Sequence, residues 1–209
     1  MFRREWLKLY FIFGQAYQEK AALPIIEEAL RSGITMFQLR EKGPYALSGS
    51  KLIDFGKKVR GLCAAYGVPF VVNDDIELAI KLKADGVHIG QEDMHIGEAR
   101  EILPPEMFIG VSATNVTEAN RALKDGADYI GVGPIFQTST KEDAKKPIGF
   151  TGLKDIKASI GDMPVVAIGG LAIPDAPILK EIEVDGVAVI SQIGYQDDIE
   201  RAVKAFLLA

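Results

Sequence analysis

Three groups of residues in this chain have the types and spacing to handle a charged ligand. In "MFQLREKG" (36–43) an amide and two cations, Gln38, Arg40 and Lys42, recur at every second position. On an extended strand that alternation sends all three to one side and Phe37 and Leu39 to the other, so the polar trio can face a barrel mouth while the apolar pair packs under helices. In "VVNDD" (71–75) and "GVHIGQED" (86–93), Asn73, Asp74 and Asp93 gather an amide and two carboxylates that would repel one another unless a cation joined them. Asp74 and Asp93 form a candidate Mg²⁺ pair, because this hard ion takes few carboxylates, keeps waters and completes its shell with phosphate oxygens. "AIGGL" (167–171) and "VISQIG" (189–194) place Gly169, Gly170 and the amides of Ile190 and Ser191 where backbone N–H groups can approach a phosphate. Ahead of both, the stretch from Gly133 to Pro147 is far longer than the usual two to six residues of a βα connection and carries Thr138, Ser139, Thr140 and Lys141, a composition suited to a lid over an anion.

Other polar positions have competing structural readings. Asp75, Asn115 and Thr117 suit helix N-caps as well as they suit a ligand. His88 falls inside a short strand and His95 at a helix start, with no Cys or third His beside them, which argues against zinc. Ser112 has no evident His–Asp partner, so a nucleophile reading is poor. Cys63, the single cysteine, sits in an apolar helical pattern and reads as core packing. Lys145 and Lys146 read as solvated surface charges.

These residues need a scaffold that brings strand ends together. Short apolar strands at about 8–13, 35–39, 69–73, 86–89, 108–112, 129–132, 164–168 and 186–190 alternate with helical patterns such as "ALPIIEEALRSG" and "VTEANRALKDGA". Gly33, Gly67, Gly86 and Gly126 stand where left-handed helix caps are expected, and "DG" recurs at 85–86, 125–126 and 185–186. Eight β/α units without a linker predict one α/β domain over residues 1–209, a closed parallel (β/α)₈ TIM barrel, with a doubly wound open sheet as the other arrangement. Phe2 and Trp6 would form a short amphipathic cover for the barrel floor. In such a barrel the carboxyl ends of the strands carry function and the loops after strands seven and eight cradle phosphate.

Composition narrows the partners. The 209 residues are 48% hydrophobic and 25% charged with a net charge of −5, which disfavours a general nucleic-acid partner and leaves any anion site local. No run reaches the roughly 18 apolar residues of a membrane span. Lys8 interrupts the apolar N-terminal run and no small-residue cleavage pattern follows, so a cytoplasmic, reducing setting is expected.

The segments "QLREK" (38–42), "VND" (within 71–74), "GVHIGQED" (86–93), "GVSAT" (110–114), "GPIF" with "TSTK" (133–141), "AIGGL" (167–171) and "VIS" (189–191) occur in an order that resembles the thiamine-phosphate synthase family. The resemblance spans strands two to eight and departs at Gln137, where the family loop more often has proline. It implies a barrel enzyme that joins a hydroxymethylpyrimidine diphosphate to a thiazole phosphate and releases diphosphate, with Mg²⁺ as cofactor. It implies that Gln38, Leu39, Arg40, Glu41, Lys42, Asn73, Ser112 and Lys141 meet the pyrimidine diphosphate, with Arg40, Lys42, Ser112 and Lys141 as the catalytic groups. By the same resemblance Asp74 and Asp93 hold Mg²⁺, while Thr138, Ser139, Thr140, Gly170, Ile190 and Ser191 hold the thiazole phosphate. The partners implied are two small phosphorylated substrates, with no nucleic acid, no membrane and no particular oligomeric state. A thiazole tautomerase or a non-catalytic thiazole-phosphate sensor could share the same barrel.

Overall fold

The computed structural model describes residues 2–138, 140 and 145–209. Its eight strands are β1 (Leu9–Phe13), β2 (Met36–Leu39), β3 (Phe70–Asn73), β4 (Gly86–Ile89), β5 (Phe108–Ala113), β6 (Tyr129–Val132), β7 (Val165–Ile168) and β8 (Gly186–Val189). All pairs are parallel and in chain order, and β8 closes onto β1 through Tyr10 opposite Ala188. That closing pair excludes the open sheet. Around the barrel lie α1 (Leu23–Ser32), α2 (Gly49–Tyr66), α3 (Ile76–Leu82), α4 (Ile96–Ile102), α5 (Val116–Lys124), α6 (Gly149–Ile160), α7 (Ala176–Glu181), α8 (Ser191–Gly194) and α9 (Ile199–Leu208). Among the described residues no helix is long and apolar enough to cross a membrane.

Local chemistry explains where the helices begin and end. Asp75 caps α3 by accepting the Leu78 N–H at 2.8 Å, and Asn115 caps α5 by accepting the Glu118 N–H at 2.9 Å. Thr117 lies inside α5, not at its cap. Gly33 and Gly67 are left-handed C-caps of α1 and α2, and Gly126 is left-handed just beyond α5. Gly86 is different. The left-handed residue after α3 is Lys83 (φ 51°), and Gly86 instead opens β4, where a Cβ would come within 2.4 Å of the Phe108 ring. Helical pattern alone places a glycine near a turn without telling a cap from a close approach.

Three aspartates, of which Asp85 and Asp185 belong to the DG repeats and Asp128 does not, act with Thr35 at the floor of the barrel. The residue before each even-numbered strand forms a reciprocal pair with the start of the preceding odd strand. Thr35 donates its N–H to the Leu9 carbonyl at 2.9 Å and its Oγ1 accepts the Leu9 N–H at 2.8 Å. Asp85 does the same with Phe70 at 2.8 and 2.8 Å, Asp128 with Ile109 at 2.8 and 2.8 Å, and Asp185 with Val165 at 2.8 and 2.7 Å. Each aspartate also meets an arginine: Arg60 on Asp85, Arg100 on Asp128 and Arg4 on Asp185. Phe2 stacks on Tyr129 with ring centroids 5.4 Å apart and meets Trp6 and Phe108 edge-on, and Trp6 lies tilted against Phe108, so the N-terminal segment lies against the strand starts.

Replacing Asp185 by alanine should leave the Val165 N–H without its acceptor, a loss of about 1–3 kcal/mol. For a chain of this size each kcal/mol lowers Tm by about 2–4 °C. Thermal melts should show this drop for Asp185→Ala and substantial recovery for Asp185→Asn, which keeps an acceptor oxygen. Activity well below Tm should be unchanged, because the pair sits at the end of the barrel opposite the polar mouth; an unaltered Tm for the alanine variant would contradict the role.

Candidate active site

The inward face of the barrel is unusually polar. Gln38 on β2, Tyr10 on β1, Tyr129 on β6, His88 on β4 and Ser112 on β5 form one hydrogen-bonded chain. Gln38 Nε2 donates to the Tyr10 hydroxyl at 2.6 Å, and the two tyrosine oxygens lie 3.0 Å apart. The Tyr129 oxygen lies 2.9 Å from His88 Nδ1, and His88 Nε2 lies 2.9 Å from Ser112 Oγ. Strands β1 and β6 are not neighbours in the sheet, so these hydroxyls can meet only across the interior. Room for them comes from missing side chains, since a Cβ on Gly110 would fall 2.0 Å from Tyr129 Cζ. Burial pushes both tyrosine hydroxyls well above the usual phenol range, so they stay protonated.

The chain ends at a cavity of about 220 Å³ at the carboxyl ends of the strands. Of the residues expected at a site, Arg40, Lys42, Asn73, Asp74, Asp93, Ser112 and Thr138 all line it. Arg40 is almost fully buried, and its guanidinium donates to the Tyr17 hydroxyl at 2.6 Å and lies 5.9 Å from the centre of that ring. Lys42 forms an ion pair with Asp74, which raises the lysine's pKa. Asp74 is left-handed (φ 59°), a conformation aspartate tolerates better than most residues, and its N–H is tied to the His88 carbonyl at 2.8 Å. Burial pushes its carboxyl above the ordinary range; the neighbouring Asp93 adds to that rise and Lys42 opposes it. Asp93 is held by the Gly90 N–H at 2.7 Å.

This donor set fits Mg²⁺. Asp74 and Asp93 supply only hard oxygens, and among the described residues no third His, Cys, Asp or Glu completes a cluster with them. Two carboxylates leave most of an octahedral shell to water and phosphate oxygens, the balance this ion favours. The unfavourable closeness of the two acids is itself what a cation would relieve.

A smaller cavity of about 50 Å³ adjoins the first and shares Thr138, Ile168 and Gly169 with it. Thr140, Gly170, Ile190 and Ser191 line this recess. Gly169 and Gly170 are both left-handed (φ 98° and 67°), a conformation open to glycine at little cost, and it turns their backbone along the recess. Thr138 and Thr140 are joined through their hydroxyls at 2.9 Å. The geometry provides small residues, hydroxyls and N–H groups for a compact anion beside a mouth lined with cations.

Three expected residues do not line either cavity. Gln38 lies deeper in the barrel in the chain described above. Leu39 faces the other side of β2 and packs in the core. The Glu41 carboxylate turns away to accept the N–H groups of Gln15 and Leu47, tying β2's exit to two neighbouring loops; burial raises its pKa while those bonds oppose the rise. Ser139 and Lys141 lie outside the described residues, as does part of the expected lid. In the other direction, the cavity takes in residues that pattern reading passed over. His88 reads as strand filler, yet it lines the mouth and gives Ser112 a histidine neighbour. The group behind His88 is a tyrosine and not a carboxylate, so no Ser–His–Asp triad results. Lys145 is exposed, as the sequence suggested, and also lines the cavity, 3.9 Å from Glu118. Gln91 is fixed there by donating to the Ser112 carbonyl at 2.6 Å.

Comparison with known proteins identifies the family and the fold. Residues 9–193 match the family described as thiamine monophosphate synthase. A thiamine-phosphate synthase of Bacillus mycoides is 51% identical over 187 residues, covering 90% of this chain and 85% of that protein. Thiamine-phosphate synthase 1 of Streptococcus pneumoniae is 43% identical over 205 residues, 98% of each chain. Among solved structures, thiamine phosphate pyrophosphorylase from Pyrococcus furiosus superposes with a TM-score of 0.85 at 36% identity, covering 97% of this chain and 95% of that one. A 3-hexulose-6-phosphate synthase at 16% identity and TM-score 0.68 shares the fold alone. Matched along nearly its whole length in sequence and in three dimensions, the chain belongs to the thiamine monophosphate synthase family.

Proposed function

We propose that the chain acts as a thiamine-phosphate synthase, a transferase that joins a pyrimidine methyl diphosphate to a thiazole phosphate at the two adjoining cavities. The observation that carries this reading is the pairing of a cation-lined mouth, with Arg40 and Lys42 beside the Asp74–Asp93 pair, to a glycine-walled recess for a second, smaller anion. The diphosphate would lie against Arg40, Lys42 and Lys141, with Asn73 and Ser112 nearby. The thiazole phosphate would occupy the recess among Thr138, Ser139, Thr140, Gly170, Ile190 and Ser191. A cytoplasmic setting belongs to the same reading, supported by the lone thiol of Cys63, which is fully buried with its pKa pushed up to about 12.

The chemistry asked of these residues follows from their charges. The bond between the pyrimidine methylene and the diphosphate oxygen breaks, and a bond from the thiazole nitrogen to that carbon forms. Diphosphate leaves slowly unless its charge is balanced; Arg40 and Lys42 provide positive charge in a partly enclosed mouth, and Lys141 would add to it. Mg²⁺ on Asp74 and Asp93 would supply the remaining neutralisation of phosphate oxygens. In the free protein Lys42 occupies Asp74, so an arriving cation and diphosphate would divide that ion pair between them. No side chain has to act as nucleophile.

Mixing both substrates with Mg²⁺ and measuring diphosphate is the direct test; proton exchange without diphosphate release would point to a tautomerase, and binding without either to a sensor. The acid pair gives a second expectation. An acid whose folded pKa exceeds its unfolded value binds a proton on folding, so its contribution to stability is lost as pH rises through that window. Relative to Asp74→Asn, the metal-free protein should therefore lose stability as pH rises above the ordinary aspartate range, and Mg²⁺ should raise Tm more at neutral than at acid pH. Asp93→Asn should abolish both the Mg²⁺-dependent Tm shift and turnover while its metal-free Tm stays level or rises; an undiminished Mg²⁺ shift would remove Asp93 from the metal site.

The site as read invests in the leaving group, and the attacking thiazole nitrogen carries no proton for a base to remove, so departure should lead attack, with positive charge building on the pyrimidine methylene. Single-turnover rates should fall steeply with electron-withdrawing pyrimidine substituents and respond little to thiazole basicity. A rate that followed thiazole nucleophilicity alone would reverse that order.

A further inference from the structure

The buried chain from Gln38 to Ser112 has a direction, and the direction decides what Ser112 offers the cavity. The Gln38 amide nitrogen can only donate, so the Tyr10 oxygen accepts from it at 2.6 Å and turns its own proton to Tyr129, 3.0 Å away. Tyr129, having accepted, gives its proton to His88 Nδ1 at 2.9 Å. An imidazole that accepts at Nδ1 carries its proton on Nε2, and that proton goes to Ser112 Oγ at 2.9 Å. The Ser112 hydroxyl proton is then left for the cavity. We infer that Tyr10 and Tyr129 are positioning residues that hold His88 in the Nε2–H tautomer and so make Ser112 a hydrogen-bond donor toward the ligand.

The ligand expected in the cavity favours this direction. Turning the Gln38 amide over would reverse every bond, leaving Ser112 donating inward to His88 and facing the cavity with lone pairs alone. The cavity wall carries Arg40 and Lys42 together with Asp74, Glu92 and Asp93; on the synthase reading it takes a diphosphate, whose oxygens accept but do not donate, so lone pairs from Ser112 there would oppose binding. The tyrosine hydroxyls are held neutral by burial, so both keep the proton that the run of bonds from Gln38 to His88 requires. The inference rests on the proposed synthase reading only for the identity of the ligand that Ser112 meets.

The test uses the full chain labelled with ¹⁵N-histidine, which gives two residues to resolve, His88 and His95; His95→Gln assigns them. At about pH 8, where an ordinary imidazole is neutral, His88 should show a protonated-type Nε2 and an unprotonated-type Nδ1. Tyr129→Phe should shift both nitrogens toward an averaged tautomer. It should also lower kcat/KM for the pyrimidine diphosphate about three- to tenfold, the scale of one lost hydrogen bond, with KM for the thiazole phosphate unchanged. Tyr10→Phe keeps the Tyr129 hydroxyl but removes the donor that orients it, and should give the same tautomer averaging if Tyr129→Phe does not fold. An Nδ1–H tautomer in the wild type, or a wild-type tautomer retained without Tyr10 or Tyr129, would overturn the inference. So would a changed tautomer with unaltered kcat/KM, which would leave the tyrosines structural. The tautomer is read on the free protein, so failure of diphosphate release would count against the synthase reading and not against this one.

Discussion

The site depends on strand register, and register is held at the end of the barrel away from the site. On a strand the side-chain period is two, so a slip of one residue would move Gln38, His88 and Ser112 from the interior to the helix-covered face. The four reciprocal pairs of Thr35, Asp85, Asp128 and Asp185 with Leu9, Phe70, Ile109 and Val165 resist such a slip by joining both backbone groups of one residue to a single partner. They tie β1 to β2, β3 to β4, β5 to β6 and β7 to β8. The polar chain inside then spans strands of different pairs, Tyr10 on β1 meeting Tyr129 on β6, and Tyr129 meeting His88 on β4. Floor and interior thus set the same register by different bonds.

A second constraint acts at the mouth, where like charges stand close together. Arg40 and Lys42 are both cations and Asp74 and Asp93 are both acids, and the free protein balances them by joining Lys42 to Asp74. Arg40 is held separately, by the Tyr17 hydroxyl and ring. The result is a pair of groups that neutralise each other in the absence of ligand and have opposite-charged partners to exchange when a cation and an anion arrive together. Glu41, between the two cations in sequence, would upset that balance if it faced the cavity. It is turned instead onto the N–H groups of Gln15 and Leu47, where a buried carboxylate finds donors.

Much of this was legible in the sequence because it follows from short-range pattern. Short apolar runs between helical patterns placed the eight strands within a residue or two, and period-two alternation sent Arg40 and Lys42 to the mouth; carboxylates and amides at strand ends marked Asp74, Asp93 and Asn73; cap chemistry marked Asp75 and Asn115. What was not legible depends on partners distant in the chain. His88 becomes part of the mouth through Ser112, 24 positions away, and Tyr129, 41 positions away. Gln38 alternates correctly with Arg40 and Lys42 yet stays below the cavity, because Tyr10 on the neighbouring strand offers it a buried hydroxyl. Gly86 follows Asp85 just as a capping glycine follows a helix, and only the Phe108 ring against it shows that space, not backbone angle, requires it.

The aromatic residues connect these levels. Tyr129 opens β6, directly after Asp128, which pairs with Ile109 and Arg100 at the floor. One face of its ring stacks on Phe2, and its hydroxyl points to His88, which lines the mouth. A displacement of β6 along its axis would therefore have to break the Asp128 pair, the Phe2 stack and the hydroxyl contact together. Close packing makes such an interior nearly incompressible, and the Cβ-free Gly110 provides the space that the Tyr129 ring fills. The hydroxyl geometry next to Ser112 is in this way set by packing around a ring that never touches the cavity itself, which is why an interior of tyrosine and glycine, rather than of aliphatic residues, suits a site whose only neutral donor from β5 is one serine.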